Sequence, residues 1–270
     1  MLVSLLAAAS RPRLAARRHE REHYRVTRRA GEDEQIDLLH ARLRSTALHD
    51  DSLWGVPLTS EPAPDSRHLL RRFLEARDWD VDQAADMIEC TLAWRSEFGA
   101  AATQPDAFPG SECGRDDSGS AQIVLRLEHV REDAFADVAR YARWCVSLHE
   151  AAIRQLDLAG EQLSSGARPA YRIVVDCRGM SAYHFGGAAR KCARHLAGLM
   201  QNHYPDFVGE TLIVNAPATM ARLWGVVRRV LPAKFAAAVR VTTDDAAAPA
   251  MTAAEADFEV AQPPAVKYAM

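Results

Sequence analysis

Tyr171-Arg172-Ile173-Val174-Val175-Asp176-Cys177-Arg178-Gly179 is a β-branched run that stops at a glycine turn, and Thr211-Leu212-Ile213-Val214-Asn215-Ala216-Pro217 is a second run that stops at proline. Gly187 to His203 lies between them and is one helix long. Short apolar runs that end in Gly or Pro and flank a helix-length segment predict a βαβ unit in a buried parallel sheet. Crevices at the carboxyl ends of such strands are the usual ligand sites. The next stretch, Ala218 to Leu231, carries three arginines and no acid. Met220, Leu223, Trp224, Val227, Val230 and Leu231 recur at helical spacing, and Arg222, Arg228 and Arg229 lie off that stripe. Such a helix either covers a core or lies in a bilayer interface.

Working outward, Ala121 to Leu127 reads as a further strand, and Asp133 to Leu158 as a long helix with Val138, Tyr141, Cys145, Leu148 and Ala152 on one stripe. Cys113 to Ser120 has turn composition, and Asp50 to Asp65, with Gly55, Pro57, Pro62 and Pro64, reads as a linker. Ser66 opens a helix with Leu69, Leu70, Phe73 and Leu74 inside and Arg67, Arg71, Arg72 and Arg77 outside. Asp80 or Val81 starts the next, which Gly99 caps, so the pair forms an αα-hairpin. Ile36, Leu39, Leu43 and Ala47 predict a helix over 32–47. Residues 11–29 carry eight arginines and read as a solvated arm or an electrostatic contact with anionic lipid. The apolar stretch Leu2 to Ala9 has no positive charge before it, unlike a secretory signal; a tail and an organelle transit peptide both fit.

Composition bounds the function. The 270 residues are 48% apolar and 26% charged with a net charge of −3, as in a soluble globular protein with no overall preference for nucleic acid. Five scattered cysteines make no C-x-x-C pair, which argues against a zinc ribbon or redox motif and for a reducing compartment. No apolar run reaches the roughly 18 residues needed to cross a bilayer. There is no G-x-S-x-G elbow, G-x-G-x-x-G, P-loop or H-E-x-x-H, and the ten histidines do not cluster, so neither catalysis nor a cofactor is expected. Asp176, after a strand, is expected to bond the backbone of its own turn rather than to act as a catalytic carboxylate.

Several separated stretches resemble one family. Leu69-Leu70-Arg71-Arg72-Phe73-Leu74-Glu75-Ala76-Arg77, Asp80-Val81-Asp82-Gln83-Ala84-Ala85 and Thr91-Leu92-Ala93-Trp94-Arg95 are similar to the N-terminal helical module of CRAL-TRIO lipid-binding proteins. Val174 to Gly179, His203-Tyr204-Pro205-Asp206 and Ile213 to Pro217 resemble the lipid-binding domain itself. The resemblance covers roughly Leu69 to Val241 and implies an α/β fold: an N-terminal helical module, then an α/β domain whose mostly parallel sheet floors an apolar pocket. Together with composition it sets expected boundaries of 1–31 for a basic, disordered arm, 32–104 for the helical module, 105–243 for the lipid-binding domain and 244–270 for a divergent or disordered tail. It also implies that helix 218–231 is the gate over the pocket.

Carried over by position, Tyr171, Ile173, Val175, Asp206, Thr211, Ile213, Met220, Trp224 and Val227 are the implied lipid-binding residues, and Arg222, Arg228 and Arg229 the implied membrane contacts. The chain departs from phosphatidylinositol-binding members. Tyr171 and Ile173 stand where those have hydroxyl side chains, and Ala238 where they have a lysine; Asp206 alone is kept in kind. The C-terminal stretch 242–270 lacks the sealing segment that members usually carry. A less polar ligand is therefore expected: sterol-like, isoprenoid, retinoid or tocopherol-like, or a phospholipid held by its chains. Water contact costs about 0.8 kcal/mol per methylene, on the order of 12 kcal/mol for a roughly sixteen-carbon chain, so an apolar pocket alone accelerates exchange. The expected protein is a monomeric, cytoplasmic carrier of lipid that touches membranes transiently. The alternatives are an adaptor that docks on a membrane or a small GTPase without transfer, and, more weakly, a small hydrolase.

Overall fold

The computed structural model describes residues 21–60, 64–102, 110–156, 158, 168–229, 233–243 and 251–252. Three helices come first: α1 (Arg21–Arg44), α2 (Pro64–Ala76) and α3 (Val81–Phe98). The helix predicted over 32–47 thus begins earlier and ends at Arg44. The stretch predicted as a linker holds a two-stranded ribbon, β1 (Ser52–Leu53) and β2 (Val56–Pro57). Its central residues Trp54 and Gly55 both have positive φ, as a two-residue hairpin loop requires, and the Asp50 carboxylate accepts from Ser52 N–H at its base. The α2–α3 hairpin follows the sequence pattern. Asp80 caps α3 by accepting from Gln83 N–H, and Gly99 closes it in the left-handed conformation.

One sheet carries the rest. Its strands are β3 (Ser111–Asp116), β4 (Ala121–Arg126), β5 (Tyr171–Asp176), β6 (Val208–Val214), β7 (Val239–Val241) and β8 (Met251–Thr252), in the order β7-β6-β5-β4-β3-β8. β4, β5, β6 and β7 are parallel, while β3 and β8 are antiparallel to their neighbours. The predicted turn over 113–120 is shorter than its composition suggested. Strand β3 runs to Asp116, whose carboxylate gathers the Ser118 and Ser120 amides into the turn.

The crossovers are α4 (Val138–Arg154), α5 (Gly187–His203), and α6 (Ala218–Val227) with α7 (Ala233–Ala238). α4 starts later than predicted because Asp137 caps it, accepting from Ala139 and Arg140 N–H, and residues 132–135 form a separate 3₁₀ turn. Consecutive strands that advance in one direction with right-handed crossovers place these helices on one face. Alternation sends Ala121, Ile123, Leu125, Tyr171, Ile173, Val175, Thr211, Ile213 and Val239 to that face. Nearly all of them join the large core that also contains Leu70, Phe73 and Ile88 of the N-terminal helices. The opposite face holds a small cluster, Val124, Val174, Leu212 and Val214, beside Arg172, which bridges Asp116 and Glu210.

Candidate functional site

Ile173 lies in the middle of a central strand, between Ile123 of β4 and Thr211 of β6. Ile123 is buried, yet Ile173 and Thr211 are only half-buried. A central position that stays partly accessible has incomplete cover above it. Leu199 of α5, Met220 and Trp224 of α6, and Val241 of β7 also join the helix-face core half-buried. Gly225 shares the half-buried edge of α6, and no heavy atom lies within 4 Å of where its Cβ would stand. Tyr171, Val175 and Ile213 are on the same sheet face but fully buried. The Tyr171 hydroxyl is engaged by His149 Nδ1 of α4. Burial drives the His149 imidazole down to about 4, so it stays neutral near pH 7.

Helix α6 rests on one edge. Met220, Ala221, Trp224 and Gly225 are half-buried, while Arg222, Leu223 and Val226 face outward. Leu223 is 64% exposed and Val226 63%. This corrects the expectation that Leu223 shares the inward stripe. The i, i+4 pair Met220 and Trp224 touches the core, and Leu223, one step round the helix, points away from it. Arg228 and Arg229 follow as an exposed turn, so the helix is shorter than the predicted 218–231. The Val227 side chain, Val230 and Leu231 lie outside the described residues.

Asp206 lies in the loop that enters β6, at the opposite end of that strand from Pro217, which leads into α6. Its carboxylate pairs with Arg168, and Arg168 also binds Glu75 of α2 through two nitrogens at 2.8 and 2.7 Å. Arg72 of α2 donates to the Asp206 carbonyl at 2.5 Å and to the Pro169 carbonyl, and stacks over the Phe207 ring at 4.4 Å. Arg72 is 2% exposed. Burial and then the neighbouring Arg168 lower its guanidinium to about 10. The sequence pattern set Arg72 on the outer side of its helix. A signal was present: it follows Leu69 by three and directly precedes Phe73, within reach of the inward stripe.

At the other end of the strands, Asp176 performs the turn role expected of it. Its carboxylate accepts from Arg178 N–H at 3.0 Å and Asn215 Nδ2 at 2.8 Å, and from the Arg178 side chain. Burial opposes its ionisation, but the hydrogen bonds from Arg178 and Asn215 outweigh that and hold the carboxyl below its usual range. Gly179 has φ +65°, and a Cβ there would stand 2.7 Å from Glu128 Cα, so the turn requires glycine. Among the described residues, no three His, Cys, Asp or Glu side chains gather where they would hold a metal ion.

Comparison with known proteins agrees with this fold. Phosphatidylinositol transfer protein SFH5 of Cryptococcus neoformans var. neoformans is 28% identical over 235 residues, covering 76% of this chain and 77% of that protein. CRAL-TRIO domain-containing protein T23G5.2 of Caenorhabditis elegans is 27% identical over 176 residues, or 61% of this chain. Protein real-time of Anopheles gambiae is 30% identical over 184 residues, or 63% of this chain. The chain spans only 24% and 26% of those last two proteins. The crystal structure of Sfh5 matches the fold with a TM-score of 0.63 at 15% identity, covering 78% of this chain and 81% of that one. Residues 35–89 match the family model for the CRAL/TRIO N-terminal domain and residues 109–251 that for the CRAL/TRIO domain, more than half of the sequence. The chain belongs to the CRAL/TRIO domain family.

Proposed function

We propose that the protein binds a weakly polar lipid between the helix face of its sheet and α6, and carries it between membranes with α6 as the gate. The observation that carries this reading is the incomplete cover over Ile173, in a sheet whose neighbouring positions Ile123 and Ile213 are fully buried. Met220 and Trp224 form the inner edge of the gate, Thr211 and Ile173 the floor. Relatives named as phosphatidylinositol transfer proteins support a lipid cargo. The floor here favours a less polar one. Ile173 is apolar, the Tyr171 hydroxyl is already bonded to His149, and the Asp206 carboxylate is already paired with Arg168. Mass spectrometry of lipid extracted from the purified protein tests this: sterol-like, isoprenoid or chain-dominated species are expected, and abundant phosphatidylinositol overturns the ligand assignment.

The outer side of α6 favours a second reading, membrane docking without transfer. Leu223 and Val226 are exposed beside Arg222, Arg228 and Arg229, the combination that seats a helix in an anionic interface. The same surface serves a carrier during unloading. A vesicle-to-vesicle transfer assay separates the two: net transfer supports the carrier, and liposome binding without transfer supports the adaptor. No helix among the described residues is long and apolar enough to cross a membrane, so either role would be peripheral.

A further inference from the structure

A groove of about 690 Å³ opens between the β1–β2 ribbon, α3 and the C-terminal end of α4. None of the residues assigned to the crevice beneath α6 lines it. Its volume falls within the roughly 300–1,000 Å³ usual for small-molecule sites. Trp54, Val56, Leu92, Ile153, Leu156 and Leu158 supply apolar walls. Arg95 and Glu150 supply a polar patch within them, and Asp50 and Arg154 at the exposed rim add one charge of each sign.

That patch has a specific chemistry. Glu150 is 1% exposed and accepts from Arg95, from Trp54 Nε1 at 3.2 Å and from the Tyr204 hydroxyl at 2.6 Å. All three bonds land on its Oε1 atom, which leaves Oε2 as the acceptor that Glu150 presents. Arg95 spends one nitrogen, Nη1, on that carboxylate and stacks over the Trp54 ring at 5.1 Å. An acceptor and a donor therefore stand side by side in a pair of zero net charge. A neutral pair selects neither an anion nor a cation, because an added charge meets a like charge at short range. It suits a hydroxyl, which donates to the carboxylate and accepts from the guanidinium.

We propose that this groove is a second ligand site for an amphiphile with a neutral hydroxylated head and an apolar tail, such as a monoacylglycerol. The head meets Glu150 and Arg95, and the tail lies against Trp54, Ile153 and Leu156. The site is independent of the crevice beneath α6.

Equilibrium binding of radiolabelled mono-oleoylglycerol to the full chain tests the proposal. Saturable binding is expected. Ala101→Trp and Ser96→Trp, placed at exposed lining positions, should each weaken it at least tenfold with the circular dichroism spectrum unchanged. Trp224→Asp should still bind one equivalent with unchanged affinity, and oleate or methyl oleate should bind the groove about tenfold more weakly or worse. Unchanged binding in both tryptophan-filled variants overturns the site, as does loss of binding in Trp224→Asp, which would move the lipid to the crevice. Equal affinity for methyl oleate overturns the assigned head chemistry. Lipid extracted from Trp224→Asp reports the groove without the crevice, and lipid extracted from Ala101→Trp reports the crevice without the groove, so failure of one site leaves the other measurable.

Discussion

Arg72 is a cation enclosed between α2 and the entry to β6, and its bonds run to the Asp206 and Pro169 carbonyls. Replacing it by methionine keeps much of the stem's packing but strands two acceptors. Each orphaned buried acceptor costs about 1–3 kcal/mol, so Arg72→Met should lose about 2–6 kcal/mol in urea unfolding. Arg168→Ala should lose less, because Arg168 and both its acids are partly exposed and screened. His149 makes a different prediction. Its folded pKa of about 4 lies below the ordinary 6.5, so the unfolded chain takes up a proton first as pH falls. The stability it contributes is complete above pH 6.5 and is lost as pH falls toward 4. At pH 5 the loss should be about 2 kcal/mol relative to pH 7, and His149→Phe should flatten that slope. An unchanged slope in the variant would show that other groups, including His203, which burial and Arg77 also push down to about 4, carry the acid sensitivity.

At the scale of elements, α6 differs from its neighbours. α4 and α5 are sealed into the core by buried Val146, Leu148, Ala193 and Leu196, whereas α6 touches the core only through half-buried side chains. Leu223→Asp combined with Val226→Asp should reduce binding to anionic liposomes at least tenfold while unfolding shifts by no more than about 0.5 kcal/mol, as expected for exposed sites. Trp224→Asp should abolish retention of lipid beneath α6 with the fold kept, and full retention there in that variant would remove α6 from the gate role. β5, β6, the α2–α3 hairpin, the Asp80 cap and the Asp176 turn were legible in the sequence because each is encoded by local periodicity or turn chemistry. Three features were not. The β1–β2 ribbon is too short to show a period, the burial of Arg72 depends on Pro169 and Asp206 far along the chain, and the outward side of Leu223 depends on how α6 leans. In each case tertiary contact decides what local pattern leaves open.

At the scale of the molecule, the N-terminal helices and the sheet share one core, with Phe73 and Ile88 in the same cluster as Tyr171 and Ile213. The Arg168 bridge from Glu75 to Asp206 and the Arg95–Glu150 pair tie the two parts again at their polar edges. A shared core predicts a single unfolding transition: tryptophan fluorescence and far-ultraviolet circular dichroism should trace coincident curves, and two separated midpoints would show that the parts fold apart. The crossover after β6 has one further consequence. α6 leaves the sheet at Pro217 and the chain re-enters it at β7, a three-residue edge strand held to β6 and closed by the Thr242 amide on the Ile213 carbonyl and the Ala216 amide on the Thr242 carbonyl. In the gating proposed for α6, the pull reaches β7, the shorter anchor, through α7. The Thr242 amide should therefore exchange with deuterium faster than those of β5, and lipid bound beneath α6 should slow it, making the β7 edge a reporter of the proposed cargo.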